Sequence, residues 1–347
     1  MIEREDILGK TFNDIRQITE TLKLPGYTAL QLTDWIYKKG AQSFDQMSNL
    51  SKDSRKLLNE LFFIGIQKPS GVQISSDGTR KYLFPVKEGR YVETVYIPET
   101  GRSTLCLSSQ VGCKMDCVFC MTGKQGFQGN LSSGEIINQV ISLPELAELT
   151  NYVFMGMGEP LANTGNVLKS IEILTADYAY GISPSRITVS TVGLIPGLEQ
   201  MILNSRCHLA ISLHSPFGEE RLSLMPVERL YPVNRVVEFL KKSSPGKQRR
   251  ISFEYIMFAG INDTARHVNG LARLLNGLRC RINLIRYHPI PGVALTSSDD
   301  ETIEWFRERL NQKGILTTVR ASRGQDIFAA CGMLSTHHQV ITGPVKE

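Results

Sequence analysis

The sequence predicts an α/β fold: a partial (β/α)6 TIM-like barrel over 99–347, preceded by a small N-terminal helical accessory module at 1–68 and a β-hairpin linker at 69–98. Three observations predict it. From about residue 103, β-rich apolar runs alternate with amphipathic stretches, the pattern of parallel βαβ units. Before residue 68, apolar residues recur at helical intervals instead. Between these regions, two β-rich runs flank a short turn containing glycine.

In the N-terminal module the helical positions are Leu30, Leu32, Trp35 and Ile36, then Leu57, Leu58, Leu61 and Phe62. Gly26 and Gly40 punctuate the runs, and the Ser51 hydroxyl can cap the second one. The hairpin pairs Lys81–Val86 with Tyr91–Ile97 about Glu88, Gly89 and Arg90. Six strands follow: Thr104–Ser108, Tyr152–Met155, Ile187–Ser190, Leu209–Leu213, Ile251–Met257 and Ile282–Ile285. Amphipathic stretches between them, such as Asn166–Ala176, Val233–Lys241 and Ala265–Leu275, supply the crossover helices. In such a barrel, chemistry sits at the C-terminal ends of the strands.

A chain of 347 residues has room for one large domain and an accessory one. The start MIEREDILGK is charged and lacks the apolar core of a signal peptide. No apolar run reaches the roughly 18 residues of a membrane span, so no membrane partner is expected. Seven cysteines, clustered rather than evenly spread, suit a reducing compartment, and the expected location is cytoplasmic. The net charge of +5 is compatible with an anionic partner. Lys241, Lys242, Lys247, Arg249 and Arg250 surround the break Ser243-Ser244-Pro245-Gly246. Alone, such a run is a solvated loop; beside other evidence for RNA it becomes a candidate phosphate contact.

Chemistry is concentrated in the run GCKMDCVFCMTG, where Cys113, Cys117 and Cys120 fall within eight residues just after the first barrel strand. A cubane iron–sulfur cluster normally takes four thiolates, so three from one loop leave one iron open to another ligand. Zinc would want a fourth Cys or His close by. The remaining cysteines, Cys106, Cys207, Cys280 and Cys331, each stand alone. After the second strand comes Gly156-Met157-Gly158-Glu159-Pro160, whose glycines admit a ligand to the backbone and whose carboxylate suits an ammonium. By itself it could equally be an ordinary strand-to-helix turn. After the third and fourth strands come Ser190-Thr191-Val192-Gly193 and Ser212-Leu213-His214-Ser215. One such polar group is usually a local hydrogen bonder, whereas three successive strand ends beside a three-cysteine loop point to a binding site.

The CxxxCxxC spacing resembles the signature of radical S-adenosyl-L-methionine (SAM) enzymes, which makes the expected barrel a radical SAM barrel. The resemblance narrows with Cys106 seven residues before the motif, GMGEPLAN at 156–163, SLHSP at 212–216, LMP at 224–226, INLIRY at 282–287 and AACG at 329–332. Together these resemble the RlmN/Cfr family of RNA adenine methyltransferases, from about Glu93 to Gly332. The resemblance implies that Cys113, Cys117 and Cys120 hold a 4Fe-4S cluster, and that Gly158, Glu159, Ser190, Ser212, Leu213, His214 and His288 contact SAM. It implies that Cys331 carries a methyl group, that Cys106 later forms a transient disulfide with it, and that Glu93 accepts a proton. An aromatic C–H is too weak a nucleophile for direct methyl displacement, which is why a radical route and two further cysteines are needed.

The implied substrates are an adenine of 23S rRNA, methylated at C2, and the tRNA adenine beside the anticodon. A reductant such as flavodoxin or ferredoxin is the implied electron donor. GMGEP and the IPG at 290–292 resemble the C2 branch. The alternatives are methylation at C8, as in the Cfr branch, a non-catalytic Fe–S or zinc RNA-binding protein, and a radical enzyme acting on a protein or small molecule. The chain departs from its relatives at Phe328 and Met333, which replace polar residues beside Cys331, and at His288, where many relatives carry Asn. Cys207 and Cys280 match no catalytic position and are expected to be buried structural thiols.

Overall fold

A computed structural model describes residues 4–243 and 249–336. Lys247 and residues 244–246 of the basic run therefore lie outside the described residues. The N-terminal region comprises β1 (Glu5–Asp6), α1 (Phe12–Thr21), α2 (Thr28–Thr33), a π-helical turn at Asp34–Lys38, α3 (Lys52–Leu61) and β2 (Phe62–Phe63). Ser51 caps α3 as expected, its Oγ accepting from the Ser54 amide at 3.1 Å. The region is not purely helical, because β1 and β2 pair in parallel and clip its two ends together. Leu32 and Ile36 are buried, whereas Leu30 is 58 % exposed. Residues two apart cannot share one helical face, so Leu30 and Leu32 have to part.

The expected hairpin forms from β4 (Arg80–Val86) and β5 (Arg90–Glu99), preceded by β3 (Gly71–Ile74), which sequence reasoning missed. It is no separate linker. β5 pairs antiparallel with β6 (Arg102–Cys106), so the three strands extend the barrel sheet. Next come β7 (Gln110–Val111), α4 (Met121–Gln125), β8 (Gly129–Asn130) and α5 (Ser133–Ile141). The short antiparallel pair β7–β8 brackets the cysteine loop.

The remainder alternates: β9 (Asn151–Phe154), α6 (Thr164–Thr175), β10 (Ile187–Thr191), α7 (Ile195–Asn204), β11 (His208–Ser212), α8 (Gly218–Leu224), α9 (Val233–Lys242), β12 (Ile251–Met257), α10 (Ala265–Leu275), β13 (Arg281–Arg286), α11 (Asp300–Gln312) and β14 (Leu316–Val319). All six expected barrel strands are present, in the parallel order β6-β9-β10-β11-β12-β13, and β14 adds an unexpected seventh. Near-continuous apolar runs are what strands covered on both faces require. β12 is buried at every position, and Phe253 and Tyr255 have no exposed surface. Each large apolar side chain so buried contributes about 1.5–3 kcal/mol.

The ten-stranded sheet ends at β3 and β14. The segment after β14 crosses back to the β3–β4 turn and is held there by side chains. Asp326 accepts from Ser75 Oγ at 2.6 Å and from the Ser76 amide at 3.0 Å, and Asp77 accepts from the Gly324 amide at 3.0 Å. This strap, rather than a strand ladder, spans the two sheet edges.

Candidate active site

The cysteine loop owes its shape to close backbone approach. Gly112 has φ +69°, and a Cβ there would lie 1.6 Å from the Gly126 carbonyl oxygen, so only glycine fits. The Val118 amide donates to Leu224 O at 3.0 Å, and Phe119 packs edge-on against His214 with ring centroids 4.8 Å apart. These contacts turn Cys113, Cys117 and Cys120 toward one cavity of about 150 Å³. Burial pushes the Cys113 thiol up to about 12 and raises the Cys117 thiol well above its ordinary value. Among the described residues, no three His, Cys, Asp or Glu side chains converge closely enough for a single metal ion. Thiolates on three corners of a cubane stand further apart than the ligands of one ion, so the donor set fits a cluster.

The same cavity is lined by Gly158, Glu159, Ser190, Ser212, His214 and Cys331. Gly158, at φ +96°, passes so near Gln110 that a Cβ would come within 2.5 Å of the Gln110 Cβ. Buried Glu159 joins two strand ends, accepting from Leu161 N and Val192 N, each at 2.9 Å. Burial raises its carboxyl to about 7. The Thr191 hydroxyl is a further donor, which leaves the carboxylate one lone pair for a ligand. His214 holds φ +57° and accepts at Nδ1 from the Ile256 amide at 3.0 Å, which leaves Nε2 as the N–H donor. Burial, then the Arg221 charge, pushes this imidazole down to about 3, so it is neutral.

Other expected residues lie elsewhere. Leu213 is fully buried in the core and does not line the cavity. His288 faces a second cavity of about 340 Å³ within the barrel, together with Cys106 and Cys331. Cys331 thus borders both cavities. All seven cysteines are free thiols; Cys207 is buried, whereas Cys280 is only half-buried. Burial lifts the Cys106 thiol to about 12, the nearby Cys331 adding to the rise and Arg320 opposing it. Cys331 keeps exposed surface, yet the atoms packed around its sulfur raise its thiol, and Arg320 is the main opposing charge.

Glu93 borders neither cavity. It is buried on β5, where Lys81 Nζ lies 2.9 Å from Oε1 and the Ser335 amide donates to Oε2 at 2.9 Å. Burial raises its carboxyl against the pull of Lys81. Lys81 also reaches Phe328 O at 3.5 Å, while Gly332 O accepts from the Met121 amide at 2.8 Å and Leu334 O from Thr122 Oγ1 at 2.7 Å. The Cys331 loop is therefore pinned on one side by the hairpin and on the other by α4. Phe328 itself is 54 % exposed, while Met333 is buried beside Met121 and Ile290.

Sequence reasoning missed three charged residues. Arg221, with no exposed surface, donates to Leu213 O at 3.1 Å, Val192 O at 2.8 Å and Ser212 O at 3.0 Å, and is paired with Glu228. It clamps the carbonyls of two strand ends. Arg320 lies 3.3 Å from Glu254, which also accepts from Asn283 Nδ2 at 2.8 Å and borders the first cavity. Lys81, the partner of Glu93, is the third.

The chain matches known proteins along nearly its whole length. The Radical SAM superfamily matches residues 107–275, and the ribosomal RNA large subunit methyltransferase N-terminal domain matches residues 5–64. A Parabacteroides distasonis protein described as a probable dual-specificity RNA methyltransferase RlmN is 53% identical over 98% of this chain and 99% of its own. The chain belongs to the RlmN family. A further family member, the dual-specificity RNA methyltransferase RlmN of Syntrophus aciditrophicus, is 42% identical over 96% of this chain and 97% of its own. The crystal structure of a radical SAM methyltransferase from Sphaerobacter thermophilus superposes with a TM-score of 0.89 at 36% identity, covering 95% of this chain and 99% of that one. Family membership carries with it a 4Fe-4S cluster and SAM as cofactors.

Proposed function

We propose that the chain is a radical SAM RNA methyltransferase that methylates C2 of an adenine in 23S rRNA and of the tRNA adenine beside the anticodon. The observation that carries this reading is the place of Cys331, whose side chain borders both the cavity of the cluster cysteines and the barrel cavity that holds Cys106. A single sulfur on that boundary can take a carbon on one side and deliver it on the other. The names of the relatives, dual-specificity RNA methyltransferases, support RNA as substrate.

Cys113, Cys117 and Cys120 hold the cluster, and Gly158, Glu159, Ser190, Ser212 and His214 line the space for SAM. Leu213 and His288 complement that set, the first through its backbone and the second from the adjoining cavity. When bound, these groups supply methyl groups and a carbon-centred radical. Cys331 Sγ accepts the methyl group and presents it to the adenine ring. Arg320 favours the thiolate that this step needs. Glu93 takes the proton lost from the ring; its bond to the Ser335 amide has to open for it to do so. Cys106 Sγ then attacks Cys331 Sγ, breaking the bond from that sulfur to the transferred carbon, which stays on the adenine and takes up a proton, and leaving a disulfide.

In this reading, residues 1–68 form an accessory RNA-binding module, 69–98 join it to the barrel as an extension of the barrel sheet, and 99–347 carry catalysis. No described helix is long and apolar enough to cross a membrane. A cytoplasmic location and an electron donor such as flavodoxin or ferredoxin complete the proposal. The test is anaerobic turnover of a 23S rRNA fragment with methyl-labelled SAM, followed by mass spectrometry of the nucleosides. Labelled 2-methyladenosine is expected, and none with Cys331→Ala. Labelled 8-methyladenosine would overturn the C2 assignment, and full activity of the variant would overturn the role of Cys331.

A further inference from the structure

The barrel cavity that Cys106 and Cys331 share is lined with five arginines, three of them at strand starts, the end away from the cluster loop. Arg102 and Arg281 are the first residues of β6 and β13, Arg250 directly precedes β12, and Arg320 and Arg323 come from the strap. These five guanidiniums face one carboxylate on the cavity wall, Glu99. Two of the five are matched elsewhere: Arg320 by Glu254 at 3.3 Å, and Arg323 by Asp77 at 4.0 Å. Among the described residues, Arg102, Arg250 and Arg281 have no carboxylate within ion-pair distance; Arg102 Nε reaches only Thr104 Oγ1, at 3.2 Å.

Such a group is self-repelling. Burial and the charges of Arg281, Arg102 and Arg320 together hold the Arg250 guanidinium below its ordinary value. Burial, with Arg250 and Arg281 beside it, pushes His208 down to about 4, so that imidazole stays neutral and adds no further charge. Three uncompensated guanidiniums around one opening, in a fork geometry that matches phosphate, are a site that lacks its anion. Behind them, the cavity of about 340 Å³ is of the size that takes a small ligand and leads to the two reactive thiols.

We propose that Arg102, Arg250 and Arg281 form the RNA portal of the barrel, binding the backbone phosphates that flank the target adenosine. The base passes inward from the N-terminal ends of the strands, opposite to the end that holds the cluster loop. The inference rests on the RNA methyltransferase reading and adds where the RNA docks and which residues hold it. Two other members of the expected basic run are engaged elsewhere: Arg249 turns onto Ser205 O, and Lys241 onto Leu274 O at 3.2 Å.

The test is the salt dependence of binding of a short RNA hairpin, with the target adenine in its loop, to the cluster-loaded protein and to a triple variant, Arg102→Gln, Arg250→Gln and Arg281→Gln. Each single-strand phosphate contact contributes about 0.7 to the slope of log K against log salt, so the slope should shrink by about 2 in the variant. Its iron content and SAM affinity should stay unchanged. A second triple variant carrying Lys at the same positions should recover most of the slope, which a merely misfolded protein would not. An unchanged slope and affinity in the Gln variant, with the parent binding RNA normally, would overturn the portal alone. Failure of the parent to bind RNA would instead overturn the RNA reading itself. Displacement of RNA from the parent by inorganic phosphate, at matched ionic strength, would reassign the arginines to a free-phosphate site.

Discussion

Replacing Lys81 by Met should destabilise the protein by about 3 kcal/mol, because it strands a buried carboxylate. Lys81 Nζ lies 2.9 Å from Glu93 Oε1, and the two side chains are 10% and 9% exposed. Removing one partner of a buried pair costs about 3–5 kcal/mol. The lower end applies here because Glu93 keeps the Ser335 amide as a donor. Lys81 is also the charge that opposes burial at Glu93, so its loss lifts the Glu93 carboxyl further above its ordinary value. A carboxyl raised in the folded state favours folding below its unfolded value and loses that advantage as pH rises through the folded one. The penalty of Lys81→Met should therefore be largest near pH 8 and shrink toward pH 5. The assay is urea unfolding of the parent, Lys81→Met, Glu93→Gln and the double variant at both pH values. The double variant should cost clearly less than the two singles together, because it leaves no buried charge unpaired. A Lys81→Met cost within about 0.5 kcal/mol, the range of an ordinary surface change, or additive singles, would refute the reasoning.

Asp6 offers a cleaner titration. Burial raises its carboxyl from 3.8 to about 6, so its favourable contribution is complete below 3.8 and is lost as pH rises through about 6. Asp6→Asn keeps an acceptor for the Leu8 amide, now bound at 2.8 Å, and should stabilise the protein by about 1–2 kcal/mol at pH 8, allowing for partial exposure. Urea unfolding at pH 4 should show no gain. Gly112→Ala should cripple cluster loading, since its Cβ would collide with Gly126 O. Iron and sulfide analysis after anaerobic reconstitution should fall well below the parent, while far-ultraviolet circular dichroism stays close to it.

Much of the barrel was legible because covered parallel strands advertise themselves as unbroken apolar runs: β12 matches its expected limits, Ile251–Met257. β14 did not, since Leu316–Val319 is short and its burial alternates weakly, with Leu316 54% exposed. The cysteine triplet is local in sequence and therefore visible. Arg221 is not, because on α8, in GEERLSL, it reads as one more surface charge; only the packing of strand ends around it reveals a buried clamp. The Lys81–Glu93 pair could have been found. In the hairpin register Lys81 stands opposite Val95, which puts Glu93 on its diagonal, within reach of a long side chain. Where Glu93 meets Ser335, 242 positions away, no local pattern could say.

The strap that spans the sheet edges also sets an order in time. Cys120 leaves the ribosome 211 residues ahead of Cys331. At about 5–20 residues per second, that is a lead of roughly 10–40 s. During it, the nascent barrel has its three cluster thiols in place and an open flank, while the fourth thiol of the cavity has yet to be synthesised. The three cluster thiols are thus available before Cys331 can compete with them, and the arrival of the strap brings the last sulfur to the cavity they line.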